Sequence, residues 1–470
     1  MKKDKLSVLL KQGTVFLDGA TGSNLMKAGR TIGSSAELWI LDHPDVLIDL
    51  QRSYTEAGSQ ILLAPTFTAN RHYLAQYGLE EQVSSINEQL VSLTRCAAGD
   101  MTTLGNADTP YGELLDIYSE QAAALRDAGV DLYIIETMMG LEETMAALEA
   151  CKMVSDLPVV CSFSVTGDGM LYFGGTIYEA APQLEGFGAA AVGINCSAGP
   201  DQMATVVRGL VSSVTVPVLA KPNAGMPVID ETGTAQYSMK PEEFAVHMRA
   251  LQACGAKLLG GCCGTDAEFI RQLRKTADAL CPPVWNKEKL PYLASERSVQ
   301  PIDPDGPFLL IGERMNPTGK KALQAELREG SLSLLLAMAA EQEEKGAHIL
   351  DLNVGMNGID EKETMLHAIE ELGLITSLPL CVDTSHVDIM EAALRAYPGR
   401  ALINSISMEQ EKIERALPLV AKYGAMFIAL PLSDAGLPET IEEKKTLIHQ
   451  IIGKAEALGI SRKNIIVDGL

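Results

Sequence analysis

The chain has 470 residues, which is long for one core and fits two domains of roughly 200–250 residues each. Hydrophobic residues make up 47% and charged residues 21%, an ordinary globular balance. A formal net charge of −23 without any basic patch argues against nucleic acid or an anionic membrane as partner.

The chain opens on MKKDKLSVLLKQG, whose apolar run is far too short for a signal segment. No later run approaches the roughly 18 apolar residues of a membrane span. Nine cysteines at irregular spacing make no disulfide framework. Together these features point to a reducing cytoplasm, where thiols are free to hold metal.

Short apolar runs then alternate with helical patterns. The runs are TVFLDGA (14–20), QILLAPTF (60–67), TTLGN (102–106), LYIIET (132–137), PVVCSFS (158–164), AVGINCS (191–197), PVLAKPN (217–223) and AKLLGGCCG (256–264). Amphipathic stretches such as YGELLDIYSEQAAALRDAG separate them, with glycine at the exit. Continuous apolar strands separated by helices predict a parallel sheet covered on both faces. Eight units in about 250 residues predict a closed (β/α)8 barrel rather than an open doubly wound sheet.

Near residue 283 the texture changes. PPVWNKEKLPYLASERSVQPIDPDGP is rich in proline and charge and reads as a linker. The alternation restarts with FLLIGERMN (308–316), HILDLNVG (348–355), PLCVDTS (379–385), ALINSIS (401–407), AMFIALP (425–431) and IIVDG (465–469). The expected fold is therefore α/β, two (β/α)8 TIM barrels in tandem, the second lacking its last two β/α units. The expected boundaries are 1–283, a linker at 284–306, and 307–470.

A barrel places its chemistry at the C-terminal ends of its strands. In the first half those ends carry Asp18, Glu136, Cys196, Asn223 and the pair Cys262–Cys263. Three thiolates from nearby strand ends can meet at one point, and three protein ligands with an open position is the catalytic form of zinc coordination. Soft thiolates equally suit Cu(I) or iron–sulfur. The plain alternatives are that adjacent cysteines are small buried hydrophobes, as Cys161, Cys254 and Cys381 are read. Asp18 could likewise be a turn residue before Gly19, Glu136 a buried acid at a helix start, and Asn195 a partner for backbone groups. In the second half the strand ends carry Glu313, Asn316, Asp351, Asn353, Asp383, Asn404 and Asp468. Any one of these can simply face water. As a set, they offer the acids and amides that an amino-pyrimidinone edge requires.

The segments LDGATGSNL, IIETM, GINCSAGP, KPNAG and GGCCGT together resemble the homocysteine S-methyltransferase family of zinc-dependent barrels, over residues 10–280. IGERMNPTG, ILDLNVG, VDTS and INSIS resemble the pterin-binding barrel of corrinoid-dependent methyltransferases. The two in this order are similar to the N-terminal half of the cobalamin-dependent methionine synthase family. The resemblance implies zinc on Cys196, Cys262 and Cys263, with Asn223 as a possible fourth ligand. It implies homocysteine held by Asp18 and Glu136 through its ammonium, and by backbone N–H groups around Ala20, Thr21 and Ser23 through its carboxylate. Asp383, Asn404 and Asp468 would grip the pterin edge of 5-methyltetrahydrofolate, with Glu313, Asn316, Asp351 and Asn353 around the ring.

Two departures matter. The segment GDMTTLGNADTPYGELL lacks the Gly-Pro-rich loop common in related barrels, and no Asp-x-His-x-x-Gly corrinoid signature is present. Methylcobalamin is therefore expected on another protein or on a domain beyond Leu470. The expected reaction is methyl transfer from methyltetrahydrofolate through that corrinoid to homocysteine. The alternative keeps the zinc barrel but changes the donor to S-methylmethionine, a betaine or another corrinoid protein. A metal store without turnover would have no need of the second polar cluster.

Overall fold

The computed structural model describes residues 5–31, 33–94, 97–106, 109–229, 235–277 and 290–470. It divides into two compact units, residues 1–185 with 189–287 and residues 186–188 with 288–470.

The first unit is built on eight parallel strands: β1 (Val15–Phe16), β2 (Leu62–Leu63), β3 (Ala97–Thr102), β4 (Leu132–Met138), β5 (Val159–Phe163), β6 (Ala191–Asn195), β7 (Val218–Lys221) and β8 (Ala256–Leu259). They lie in the order β1-β8-β7-β6-β5-β4-β3-β2. At the remaining edge, Gln60 and Ile61 both donate N–H to the Phe16 carbonyl, at 2.7 and 3.2 Å, and Leu17 bridges Ile61 in parallel. The sheet thus curls until its two edge strands touch. Crossover helices such as Pro44–Ala57 and Pro241–Cys254 begin on proline and stop at glycine, which turns the chain sharply into the next strand.

Side chains alternate across each strand. Val15, Leu17, Leu63, Ala98, Ile134, Val160, Ala191, Leu219 and Leu258 all point inward and form one buried cluster. Each fully buried leucine there contributes about 1.5–3 kcal/mol. Two residues further along the strands, on the same face, come Asp100, Glu136, Ser162, Gly193 and Lys221. A polar layer therefore sits directly on the apolar one. The third strand differs from expectation: it is AAGDMT (97–102), not TTLGN. Glycine and aspartate disguised it, because both are depleted in ordinary strands.

The second unit has six parallel strands: β9 (Ile311–Met315), β10 (Ile349–Leu352), β11 (Leu380–Asp383), β12 (Leu402–Ile406), β13 (Met426–Ala429) and β14 (Ile465–Val467). They pair in sequence order. Among the described residues they form a six-stranded sheet and not a closed second barrel. Ile311, Ile349, Cys381, Leu402 and Ile466 pack on one face. Of the stretch read as a linker, residues 282–289 lie outside the described residues. Within the rest of it, Tyr292–Ala294 and Val299–Pro301 pair as an antiparallel hairpin. Leu293 is fully buried in the core of the second unit, so apolar anchoring overrides the proline-rich composition there. No helix among the described residues is long and apolar enough to cross a membrane.

Candidate functional site

Cys196 follows β6, and Cys262 and Cys263 follow β8. Their Sγ atoms lie within 4.8 Å of one another, with Cys196 and Cys263 3.6 Å apart. Ligand sulfurs about 2.3 Å from a tetrahedral zinc stand about 3.8 Å apart, so the spacing fits that ion. Asn223 is 3% exposed, donates Nδ2 to the Cys196 carbonyl at 3.2 Å and leaves Oδ1 buried without a partner among the described residues. Three soft sulfurs and one orphaned acceptor form a donor set that suits zinc. The thiols share protons unequally: hydrogen bonds from Cys196 and Cys262 hold Cys263 well below the usual thiol range. Bonding to Cys262 and Cys263, with burial, pushes Cys196 far above that range.

Backbone bonds fix the paired cysteines. Gly261 N–H donates to Asp18 C=O at 3.0 Å, Cys262 N–H to Pro222 C=O at 2.8 Å, and Ala224 N–H to Cys263 C=O at 2.9 Å. A Cβ on Gly261 would lie 2.3 Å from Thr265 Oγ1. Gly264 has φ +84°, and a Cβ there would come within 2.4 Å of the Tyr237 ring. The glycines of GGCCGT are thus steric requirements of the turn that presents both sulfurs.

Thr137 and Cys196 both occupy the left-handed region, at φ 62° and 53°. Such non-glycine residues cost of order 1–3 kcal/mol and persist where their surroundings hold them. Buried Asn195 supplies that hold for Thr137. Its Oδ1 accepts from Thr137 N–H and Ser162 Oγ, both at 2.8 Å, and its Nδ2 donates to Thr137 Oγ1 at 2.7 Å. Asn195 therefore does satisfy backbone groups, and in doing so ties the end of β4 to the residue before Cys196.

The thiols open onto a cavity of about 560 Å3 that Asp100, Glu136, Thr137 and Lys221 also line. Lys221 Nζ donates to Glu136 Oε2 at 2.8 Å, both side chains being almost fully buried. Burial would lower the lysine, but Glu136 and Asp18 outweigh it and keep it charged. Burial pushes Asp18 up to about 7, against the pull of Lys221. Asp100 is raised by burial and then by Glu136. Asp18 Oδ2 accepts from Leu63 N–H at 2.7 Å, while Asp18 Oδ1 and Asp100 Oδ1 have no partner among the described residues. Asp100 and Lys221 are absent from the sequence-based candidates. Their signal was the two-residue step above Ala98 and Leu219, once the strands were in phase.

Ala20, Thr21 and Ser23 line the same cavity. The Ala20 N–H is already spent on Thr265 Oγ1 at 3.1 Å, and Ser23 Oγ accepts from Gly264 N–H at 3.2 Å. Thr21 stands at the N-cap position of the helix Gly22–Lys27 without a side-chain cap, and its carbonyl accepts from Asn24 and Leu25 N–H at 3.1 and 3.0 Å. Tyr54 and Asn24 brace this loop by donating to the Ala20 carbonyl, both at 2.7 Å.

In the second unit the same two-residue step applies. Above Ile311, Ile349, Cys381, Leu402 and Ile466 stand Glu313, Asp351, Asp383, Asn404 and Asp468. Asn353 donates to Asp383 Oδ2 at 2.8 Å, and Asn404 to Asp351 Oδ1 at 3.2 Å. Burial, then repulsion from Asp383, pushes Asp351 up to about 6. Burial also raises Asp383. Asn316, which accepts from Thr318 N–H at 2.9 Å, follows β9. Exposed Asp468 accepts from Leu470 N–H at 2.9 Å.

Residues 15–277 match the model of the homocysteine S-methyltransferase family, and residues 312–470 that of the pterin binding enzymes. Methionine synthases of Mycobacterium tuberculosis and Mycobacterium leprae are each 28% identical over 98% of this chain and 42% of their own length. The chain thus spans about two fifths of the curated relatives it matches. Among solved structures, the oxidized form of the homocysteine methyltransferase MmuM from Escherichia coli aligns with a TM-score of 0.51 at 22% identity. That alignment covers 57% of this chain and 98% of that one, and speaks to fold alone.

Proposed function

Because the chain belongs to the homocysteine S-methyltransferase family through residues 15–277, we propose that its first unit methylates the sulfur of homocysteine. The second unit would bind the methyl donor, 5-methyltetrahydrofolate, which its match to the pterin binding enzymes supports. We read the curled sheet as a (β/α)8 barrel with its site at the C-terminal strand ends. The observation that carries the reading is the convergence of Cys196, Cys262 and Cys263 on one wall of a cavity.

In this reading those three residues hold zinc, with Asn223 Oδ1 in reserve as a fourth ligand. Zinc would supply a deprotonated substrate thiol at neutral pH, since a coordinating thiol loses its proton outright. Asp18 and Glu136 would receive the substrate ammonium, and the loop at Ala20, Thr21 and Ser23 its carboxylate. Asp383, Asn404 and Asp468 would take the pterin edge, with Glu313, Asn316, Asp351 and Asn353 around the ring. The methyl group would pass through methylcobalamin carried by another domain or protein. In sum, an S–CH3 bond replaces the S–H bond of homocysteine and an N5–H bond replaces the N5–CH3 bond of the folate, giving methionine and tetrahydrofolate.

The test is homocysteine-dependent demethylation of free methylcobalamin by protein of known zinc content, followed by its visible spectrum. Reaction that stops on chelation and returns with zinc supports the reading. No reaction at one zinc per chain, with methylation by S-methylmethionine instead, moves the donor. Calorimetry with methyltetrahydrofolate tests the second unit: heat that Asp383→Asn abolishes is expected, and none from the wild type removes folate from the reading.

A further inference from the structure

The cysteines are presented by two different means. Cys262 and Cys263 sit in a turn whose tight places are taken by Gly261 and Gly264. Cys196 has no glycine beside it and must itself adopt φ 53°. Cysteine carries a Cβ, so this conformation lasts only where neighbouring groups hold it. Its N–H donates to the Lys221 carbonyl at 3.2 Å, and its own carbonyl accepts from Asn223 Nδ2 at 3.2 Å. The third hold is the residue before it. Asn195 is fully buried, and three hydrogen bonds of 2.7–2.8 Å join its amide to Thr137 and Ser162. The Thr137 N–H can only donate, which fixes Oδ1 as the atom it meets and Nδ2 as the one facing Thr137 Oγ1. An amide held at both ends cannot turn without breaking a bond, so the backbone leading into Cys196 is held too. Relaxation of Cys196 to an ordinary negative φ would swing its sulfur off the 3.6 Å approach to Cys263.

We infer that Asn195 is a positioning residue of the metal centre, keeping Cys196 in the left-handed conformation that brings its sulfur to those of Cys262 and Cys263. Its anchor Thr137 follows Glu136 on the cavity wall, so the aim of that sulfur is set from a neighbouring part of the same cavity. This rests on the reading of the three cysteines as metal ligands. Groups that orient a metal's ligands without touching it typically govern affinity by about 10–100-fold.

The experiment loads the protein with cobalt(II), whose visible absorption reports the geometry of the thiolates around it. Zinc affinity is read separately, by competition with a chromophoric chelator. Asn195→Ala is expected to bind zinc about 10–100-fold more weakly and to shift the cobalt bands, with the metal content at saturation unchanged. A role in folding alone would lower the melting temperature of the metal-free protein and leave the cobalt spectrum of the folded variant as in wild type. Adding Thr137→Gly separates two routes, because glycine takes φ 62° without strain. No recovery is expected; a return to the wild-type spectrum would mean that Asn195 serves Thr137 rather than Cys196, and overturns the inference. Should Asn195→Ala not fold, Ser162→Ala removes one of the three anchoring bonds and should shift the bands the same way by less. Unchanged bands and zinc affinity in the variant that folds overturn this inference alone. A wild type that binds neither cobalt nor zinc overturns the reading of the cysteines as well.

Discussion

Replacing Lys221 by methionine tests the charge balance under the cysteines. Lys221 Nζ and Glu136 Oε2 are 2.8 Å apart, on side chains 3% and 8% exposed. At that separation and an effective dielectric of about 20, their attraction is about 6 kcal/mol, much of it offset by desolvation of both ions. Methionine fills similar space but leaves Asp18, Asp100 and Glu136 buried without the lysine that now acts on all three. Breaking a buried pair in this way should cost about 3–5 kcal/mol. The loss should depend on pH. Lys221 holds Asp18 down, so without it the acid titrates above its present value of about 7. A carboxyl with a raised folded pKa stabilises the fold while protonated, and that contribution is lost as pH rises through the folded value. The variant should therefore lie closest to wild type near pH 5 and furthest near pH 8. Urea unfolding followed by circular dichroism measures this, fitted with two transitions because two units need not unfold together. Adding Glu136→Gln should recover part of the loss by removing one orphaned acid. A loss below about 1 kcal/mol near pH 8, or one unchanged down to about pH 5, would refute the reasoning.

The remaining predictions concern the thiols, their turn and the second unit. Cys262→Ser should lose zinc and homocysteine-dependent demethylation together, measured by metal analysis and the cobalamin spectrum; full zinc with normal turnover would remove Cys262 from the ligand set. Gly264→Ala places a side chain at φ +84° against Tyr237. It should cost at least about 1–2 kcal/mol and weaken zinc binding in competition with a chromophoric chelator, an idea that unchanged affinity would end. Asp351, raised to about 6, stabilises the second unit below about pH 4 and loses that contribution as pH rises through 6. The melting temperature of Asp351→Asn relative to wild type should accordingly climb between about pH 4 and 6, and a flat difference would show that Asp351 does not titrate there.

Much of this was legible in the sequence because the apolar runs are long and the glycines sit where turns must be. Val159–Phe163 and Ala191–Asn195 fall inside the runs read as strands, and Leu132–Met138 overruns its run by one residue. The three cysteines were legible because GGCCGT and NCS each end such a run. Asp100 was not, since glycine and aspartate are depleted in ordinary strands and the third run was placed at 102–106, five residues past the start of the strand. Lys221 lay inside the run PVLAKPN, but nothing in the sequence says which face of that strand it occupies. Leu293 escaped for a related reason: one buried leucine anchors a hairpin inside a stretch whose composition says linker. In each case the missing information was phase, meaning which face of a strand a residue occupies.

That phase has a consequence for how this scaffold changes over time. The groups with chemistry stand one pleat above side chains that do nothing but pack, in both units. The upper tier can be rewritten by single substitutions, one carboxylate for one amide, while the tier beneath keeps its shape. A one-residue insertion within a strand, by contrast, would exchange the two tiers at that strand and ruin both. Inheritance in such a molecule runs along alternate positions: conservative on one, inventive on the next but one.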